Sequence, residues 1–97
     1  MLDKIKQLME LKRQADQIKR ELDAERIEVN EVRGIKIVVT GSQEFQSIEI
    51  DQDLIPADDK RRLEENLLRS INAAIKKSQH VAAEKMKNMT GLNIPGL

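Results

Sequence analysis

"RIEVNEVRGIKIVVTGSQEFQSIEID", residues 26–51, is where the apolar pattern of this chain changes from a helical repeat to a period of two. Ile27 and Val29, then Ile35, Ile37 and Val39, then Ile48 and Ile50 recur at a spacing of two, the period of a strand with one buried face. The turn-prone stretches "NEVRG" and "TGSQ" separate the three runs. Such short connections join antiparallel neighbours, because a parallel crossover needs a dozen residues or more. A three-stranded antiparallel meander follows. Lys36, Gln46 and Glu49 are its polar interruptions, and Gly34 and Gly41 read as turn glycines beside the middle strand. Val38 breaks the alternation, which implies partial cover on both faces of that strand and leaves the register less fixed than the strands.

Toward the N-terminus, residues 2–25 read as one helix. Leu8, Leu11, Ala15, Ile18 and Leu22 follow at spacings of 3, 4, 3 and 4, a coiled-coil-like heptad seam with no glycine or proline before Gly34. At about 1.5 Å per residue this helix is roughly 35 Å long and outreaches a small sheet. Toward the C-terminus, "DQDLIPADD" punctuates: Pro56 cannot sit inside a continuing helix, and Asp58 and Asp59 suit the electropositive start of the next one. Residues 58–89 then carry Leu63, Leu67, Leu68, Ile71, Ala74, Ile75, Ala82, Met86 and Met89 at helical spacing. Thr90–Gly91 ends that helix, and residues 90–97 form an uncharged, turn-rich tail.

The expected class is therefore α+β, ordered α-β-β-β-α, with residues 1–97 forming one domain. Its two apolar stripes extend past what three short strands can cover, and the sheet has two open edges. Self-association as a two-fold dimer would cover that surface. Packing of the two helices within one chain would satisfy part of it.

Composition narrows the function. The 97 residues include no cysteine, which excludes disulfides and thiolate zinc sites. No apolar run approaches the roughly 20 residues of a membrane span, and "MLDKIKQLMELK" is amphipathic rather than a signal peptide, so a soluble cytoplasmic chain without a membrane partner is expected. His80 is the single histidine, and Ser42, Ser47, Ser70 and Ser78 lie in no nucleophile pattern. An enzyme with a small-molecule substrate or a cofactor is not expected. His80 and Glu84, one turn apart, are too few to hold a metal, and the aspartates of "DQDLIPADD" lack the glycine and the bidentate glutamate of a calcium loop.

What remains is charge. The 17 basic residues balance the 17 acidic ones, but unevenly: six against six over residues 1–25, three against six over 26–57 and eight against five over 58–97. The middle is acidic and the C-terminal third basic. Phe45 is the single aromatic residue, which removes the stacking platforms of single-strand binders. On the second helix, Arg62, Arg69, Lys76, His80 and Lys87, with Lys77 beside them, form a ridge opposite the apolar stripe. Asp58 with Arg62, Glu65 with Arg69 and Glu84 with Lys87 have the spacing of intrahelical pairs, which leaves Lys76, Lys77 and His80 uncompensated. On the first helix Lys12–Arg13 and Lys19–Arg20 repeat after seven residues, with Glu10 placed to pair with Arg13 and Asp16 with Arg20.

The heptad helix, "IKIVVTG", "SIEID", "DLIPADDKRRLEENLLRSINAA" with its Asn72, and the closing "GLNIPGL" together resemble the YbaB/EbfC family of small bacterial nucleoid-associated proteins. The resemblance covers nearly the whole chain. It departs from the family in the turn "NEVRGIK", which has only Gly34 where the family is often glycine-rich. The resemblance implies homodimers that join their sheets and project their helices like tweezers. It also implies binding of duplex DNA with low sequence preference and an effect on nucleoid organisation or gene expression. Face and charge, rather than any family motif, single out Lys12, Arg13, Lys19 and Arg20 on the first helix and Arg69, Lys76, Lys77 and Lys87 on the second as DNA contacts. The acidic sheet region confines such contact to the helices and makes it salt-dependent. The alternative is a protein-interaction adaptor that uses the helical seams or the tail. In that tail Leu92, Ile94 and Leu97 are placed to fold back on apolar surface.

Overall fold

In the computed structural model the described residues are 2–55 and 59–90, excluding the side chains at 89 and 90. The expected break at Pro56, the role of Asp58, the Met89 side chain, the stop at Gly91 and the tail apolar residues Leu92, Ile94 and Leu97 lie outside them. The elements run α1 (Leu2–Ala24), β1 (Arg26–Val29), β2 (Ile35–Thr40), β3 (Phe45–Ile50), a single 3-10 turn (Gln52–Leu54) and α2 (Lys60–Thr90). The sheet is antiparallel in the order β1-β2-β3, giving the expected α-β-β-β-α arrangement.

Alternation places Ile27, Val29, Ile35, Ile37 and Val39 on one face of β1 and β2, and all five are buried with Ala74 of α2. Leu67, Ile71 and Val81 of α2 pack around them half-buried. The opposite face is polar: the Lys36 ammonium lies 3.4 Å from Glu28 and 3.3 Å from Glu49. Asp59 starts α2 by accepting a hydrogen bond from the Arg62 backbone N–H at 3.2 Å, which satisfies one of the donors left open at a helix start.

The turns divide their labour in a way the glycines alone do not foretell. Gly34 has a φ of 91°, as the β1–β2 turn requires. In the β2–β3 turn the left-handed residue is Gln43, at φ 65°, while Gly41 serves close approach. A Cβ on Gly41 would stand 2.8 Å from Leu22 Cδ2 and 3.0 Å from the Leu22 carbonyl oxygen, and the Gly41 N–H donates to that oxygen at 3.0 Å. Ser42 donates to the Asp23 carboxylate beside it. The end of α1 is thereby fixed to the end of β2.

β3 carries an irregularity that its sequence conceals. Ile37 faces Ile48 and Val38 faces Ser47, but Val39 faces Phe45, so Gln46 is the extra residue of a β-bulge. The bulge brings Phe45 to the same face as Ile48. α2 packs chiefly on β1 and β2, and Phe45 and Ile48 stay 39% and 48% exposed.

The seam of α1 is likewise covered only at one end. Ile18 and Leu22 are buried, whereas Leu8, Leu11 and Ala15 are exposed. The Cα radius of gyration is 18.5 Å, against about 13 Å for a compact chain of this length. Most of α1 thus extends beyond the core, its apolar side largely uncovered by the described residues.

Candidate nucleic-acid interface

α2 is a 31-residue helix of which only one side is committed to the sheet. The spacing 69-72-76-80, steps of three, four and four, sets Arg69, Asn72, Lys76 and His80 along one outward row. Together with Lys77 they line an open groove of about 690 Å³, closed on its other side by Val29, Asn30 and Glu31 at the end of β1. Three of the candidate cations, Arg69, Lys76 and Lys77, therefore share one concavity.

Their partners differ from the helical pairs expected from spacing. Glu65 pairs with Arg61 at 3.5 Å, and Arg69 instead donates to the neutral amide oxygen of Asn66 at 3.0 Å. Glu84 lies 3.3 Å from His80, leaving Lys87 without an ion pair among the described residues. Lys77 donates to the Glu28 backbone carbonyl at 3.2 Å, a contact that steadies the side chain without cancelling its charge. Lys76 has no ion pair among the described residues either. Among the described residues, the one acid lining the groove is Glu31.

The candidate residues of α1 are less concentrated. Lys12, Arg13, Lys19 and Arg20 are all exposed. Arg13 is held by Glu10 at 2.7 Å, and this hydrogen bond and the carboxylate charge raise the guanidinium above its ordinary pKa. Asp16 and Arg20, placed to pair by spacing, make no ion pair among the described residues. Lys19 borders an apolar groove with Leu11, Gln14, Ala15, Ile18, Leu22 and Met86, away from the α2 cations. Lys87 lies further along α2, beside His80, Ala83, Glu84 and Asn88.

Sequence reasoning missed two contributors. Asn72 completes the α2 row, and its three-and-four spacing between Arg69 and Lys76 was the available signal. Lys85 gave no such signal. Its ammonium reaches across from α2 to Glu25 at 3.0 Å and Glu21 at 4.0 Å, joining the helices beyond the sheet. Among the described residues no three ligand-type side chains converge to hold a metal, and no helix is long and apolar enough to cross a membrane.

Residues 1–93 match the model of the YbaB/EbfC DNA-binding family. A nucleoid-associated protein of Thermoanaerobacter pseudethanolicus is 35% identical over 95 residues, spanning 96% of this chain and 86% of that protein. One from Pelotomaculum thermopropionicum is 32% identical over 95 residues, 96% of this chain and 90% of its own length. One from Desulforamulus reducens is 41% identical over a shorter stretch of 64 residues, 65% of this chain and 61% of that protein.

Proposed function

We propose that this chain, which belongs to the YbaB/EbfC DNA-binding family, acts as a homodimer that binds duplex DNA through its phosphates with little sequence preference. Its role is then to organise the nucleoid or modulate gene expression, in the cytoplasm, by binding rather than catalysis. The observation that carries this reading is the groove on α2, where Arg69, Lys76 and Lys77 converge with one opposing acid, Glu31. From Arg69 to Lys87 the row covers about 27 Å, the axial length of roughly eight base pairs at about 3.4 Å each. Arg69, Lys76, Lys77 and Lys87 are assigned the main phosphate contacts, with Lys12, Arg13, Lys19 and Arg20 of α1 supplementing them.

The homodimer is supported by the uncovered inner face of β3. Phe45 and Ile48 point to the core side of the sheet yet stay 39% and 48% exposed. A second copy joined along β3 would bury them and present two cationic rows at once.

Fluorescence anisotropy on a labelled duplex tests the reading. Binding is expected at low salt, falling steeply as salt rises because each neutralised phosphate releases counterions. Lys76→Glu/Lys77→Glu is expected to weaken binding and flatten the salt slope. Binding that ignores both salt and charge reversal overturns the phosphate mechanism.

A further inference from the structure

The groove beside α2 has two walls of different chemistry. The helix wall carries Arg69, Lys76 and Lys77, and the wall facing it is the end of β1 and the turn that follows, with Val29, Asn30 and Glu31. The cations are not cancelled within the chain: Arg69 donates to the neutral Asn66 amide, and Lys77 to the Glu28 backbone carbonyl. Glu31 is exposed and makes no ion pair among the described residues.

For a phosphate alone, the second wall is a defect. A carboxylate accepts hydrogen bonds without donating any, and it repels an anion brought beside it. The pairing of walls suits instead a ligand with anionic groups at one end and N–H donors at the other. The groove's volume of about 690 Å³ lies within the roughly 300–1,000 Å³ of small-molecule sites. Between the two polar walls, Val29 and Ala73 supply apolar surface for a flat ring. Among the nucleic-acid bases guanine meets these demands, because its N1–H and 2-amino group are neighbouring donors for one carboxylate. Its O6 beside them is an acceptor for an amide such as that of Asn30.

We propose that this groove binds a free guanine nucleotide carrying two or more phosphates. The base lies on Val29 and Ala73 with its donors on Glu31, and the phosphates take Arg69, Lys76 and Lys77. Those cations are also the ones assigned to the duplex backbone, so nucleotide and DNA compete. The competition rests on the DNA-binding reading, whereas the nucleotide site does not.

Isothermal titration of the full chain with GDP, ADP and pyrophosphate, in the absence of DNA, is the test. GDP is expected to bind at least about tenfold tighter than either of the others, as a ligand that satisfies a charged acceptor should. Glu31→Gln is expected to erase that preference while binding pyrophosphate no more weakly, a combination that mere loss of structure would not produce. Equal affinity for the three ligands, no GDP binding at millimolar concentration, or a GDP preference untouched by Glu31→Gln overturns the proposal. A short single-stranded guanine oligonucleotide is expected to bind no tighter than GDP. Tighter binding would overturn the free nucleotide as occupant and assign the groove to a base within a strand. In a second arm GDP is expected to displace a labelled duplex. GDP binding without displacement would overturn the shared use of the groove, and duplex binding without GDP binding would overturn the nucleotide site alone.

Discussion

The Ser78 hydroxyl of α2 donates a 2.7 Å hydrogen bond to the backbone carbonyl of Thr40 at the end of β2, with both residues buried. The same carbonyl accepts from the Gln43 N–H at 3.1 Å, and the Thr40 hydroxyl accepts from the N–H groups of Ser42 and Glu44. These hydrogen bonds tie α2 to the β2–β3 turn at a buried point. Ser78→Ala removes the donor but leaves the carbonyl one partner, so it is expected to cost about 1 kcal/mol. Urea denaturation at fixed protein concentration measures this. A loss near zero would mean that the bond does not order the junction.

Gly41 is required by contact rather than by backbone angle. A methyl group there meets the Leu22 carbonyl oxygen at 3.0 Å, and backbone yields less readily than a side chain. Gly41→Ala is expected to loosen the attachment of α1 and to cost about 1–3 kcal/mol. The discriminating readout is hydrogen exchange: amides near Leu22 should lose protection more than those of β1. Equal loss everywhere would contradict the local account.

Lys36 provides the pH dependence. Its ammonium sits between Glu49 and Glu28, and their hydrogen bonds and negative charge raise its pKa above the ordinary 10.5. Because the folded value is raised, the contribution is fully present below the unfolded pKa and disappears as pH rises through the folded one. The stability difference between the wild type and Lys36→Met is expected to be constant from pH 7 to about 10 and to narrow above it. The side chains are exposed enough that added salt should shrink this difference at every pH. A difference that grows with alkalinity would contradict the assignment.

Ile48 is the residue on which dimer formation should turn. It faces the core side of the sheet but is 48% exposed within one chain. Ile48→Glu places a charge in the proposed contact and is expected to raise the dimer dissociation constant by about tenfold or more, with helical signal lost as single chains appear. Sedimentation equilibrium reads the change. An unaffected dimer would place the contact elsewhere.

Much of this was readable in the chain because period carries face. Alternation at Ile27, Val29, Ile35, Ile37 and Val39 specified the buried side of β1 and β2, and the helical stripes specified α1 and α2. The register of β3 was not readable, since a bulge at Gln46 depends on pairing with Val38 and Val39 across the turn. Cation partners escaped for a similar reason. Spacing names several carboxylates within reach of Arg69 or Lys87, while packing and rotamer decide that Glu65 turns to Arg61 and Glu84 to His80. Nothing in helical periodicity relates Lys85 to Glu21 and Glu25, which are distant in sequence and meet only once the fold has formed.

Light scattering on the purified chain across a dilution series tests the central claim, that the uncovered faces of α1 and β3 require a second copy. The account predicts a particle of twice the 11.1 kDa chain mass that persists on dilution and gives way to single chains only together with a loss of helical signal. A well-folded particle of 11.1 kDa at every concentration would contradict it.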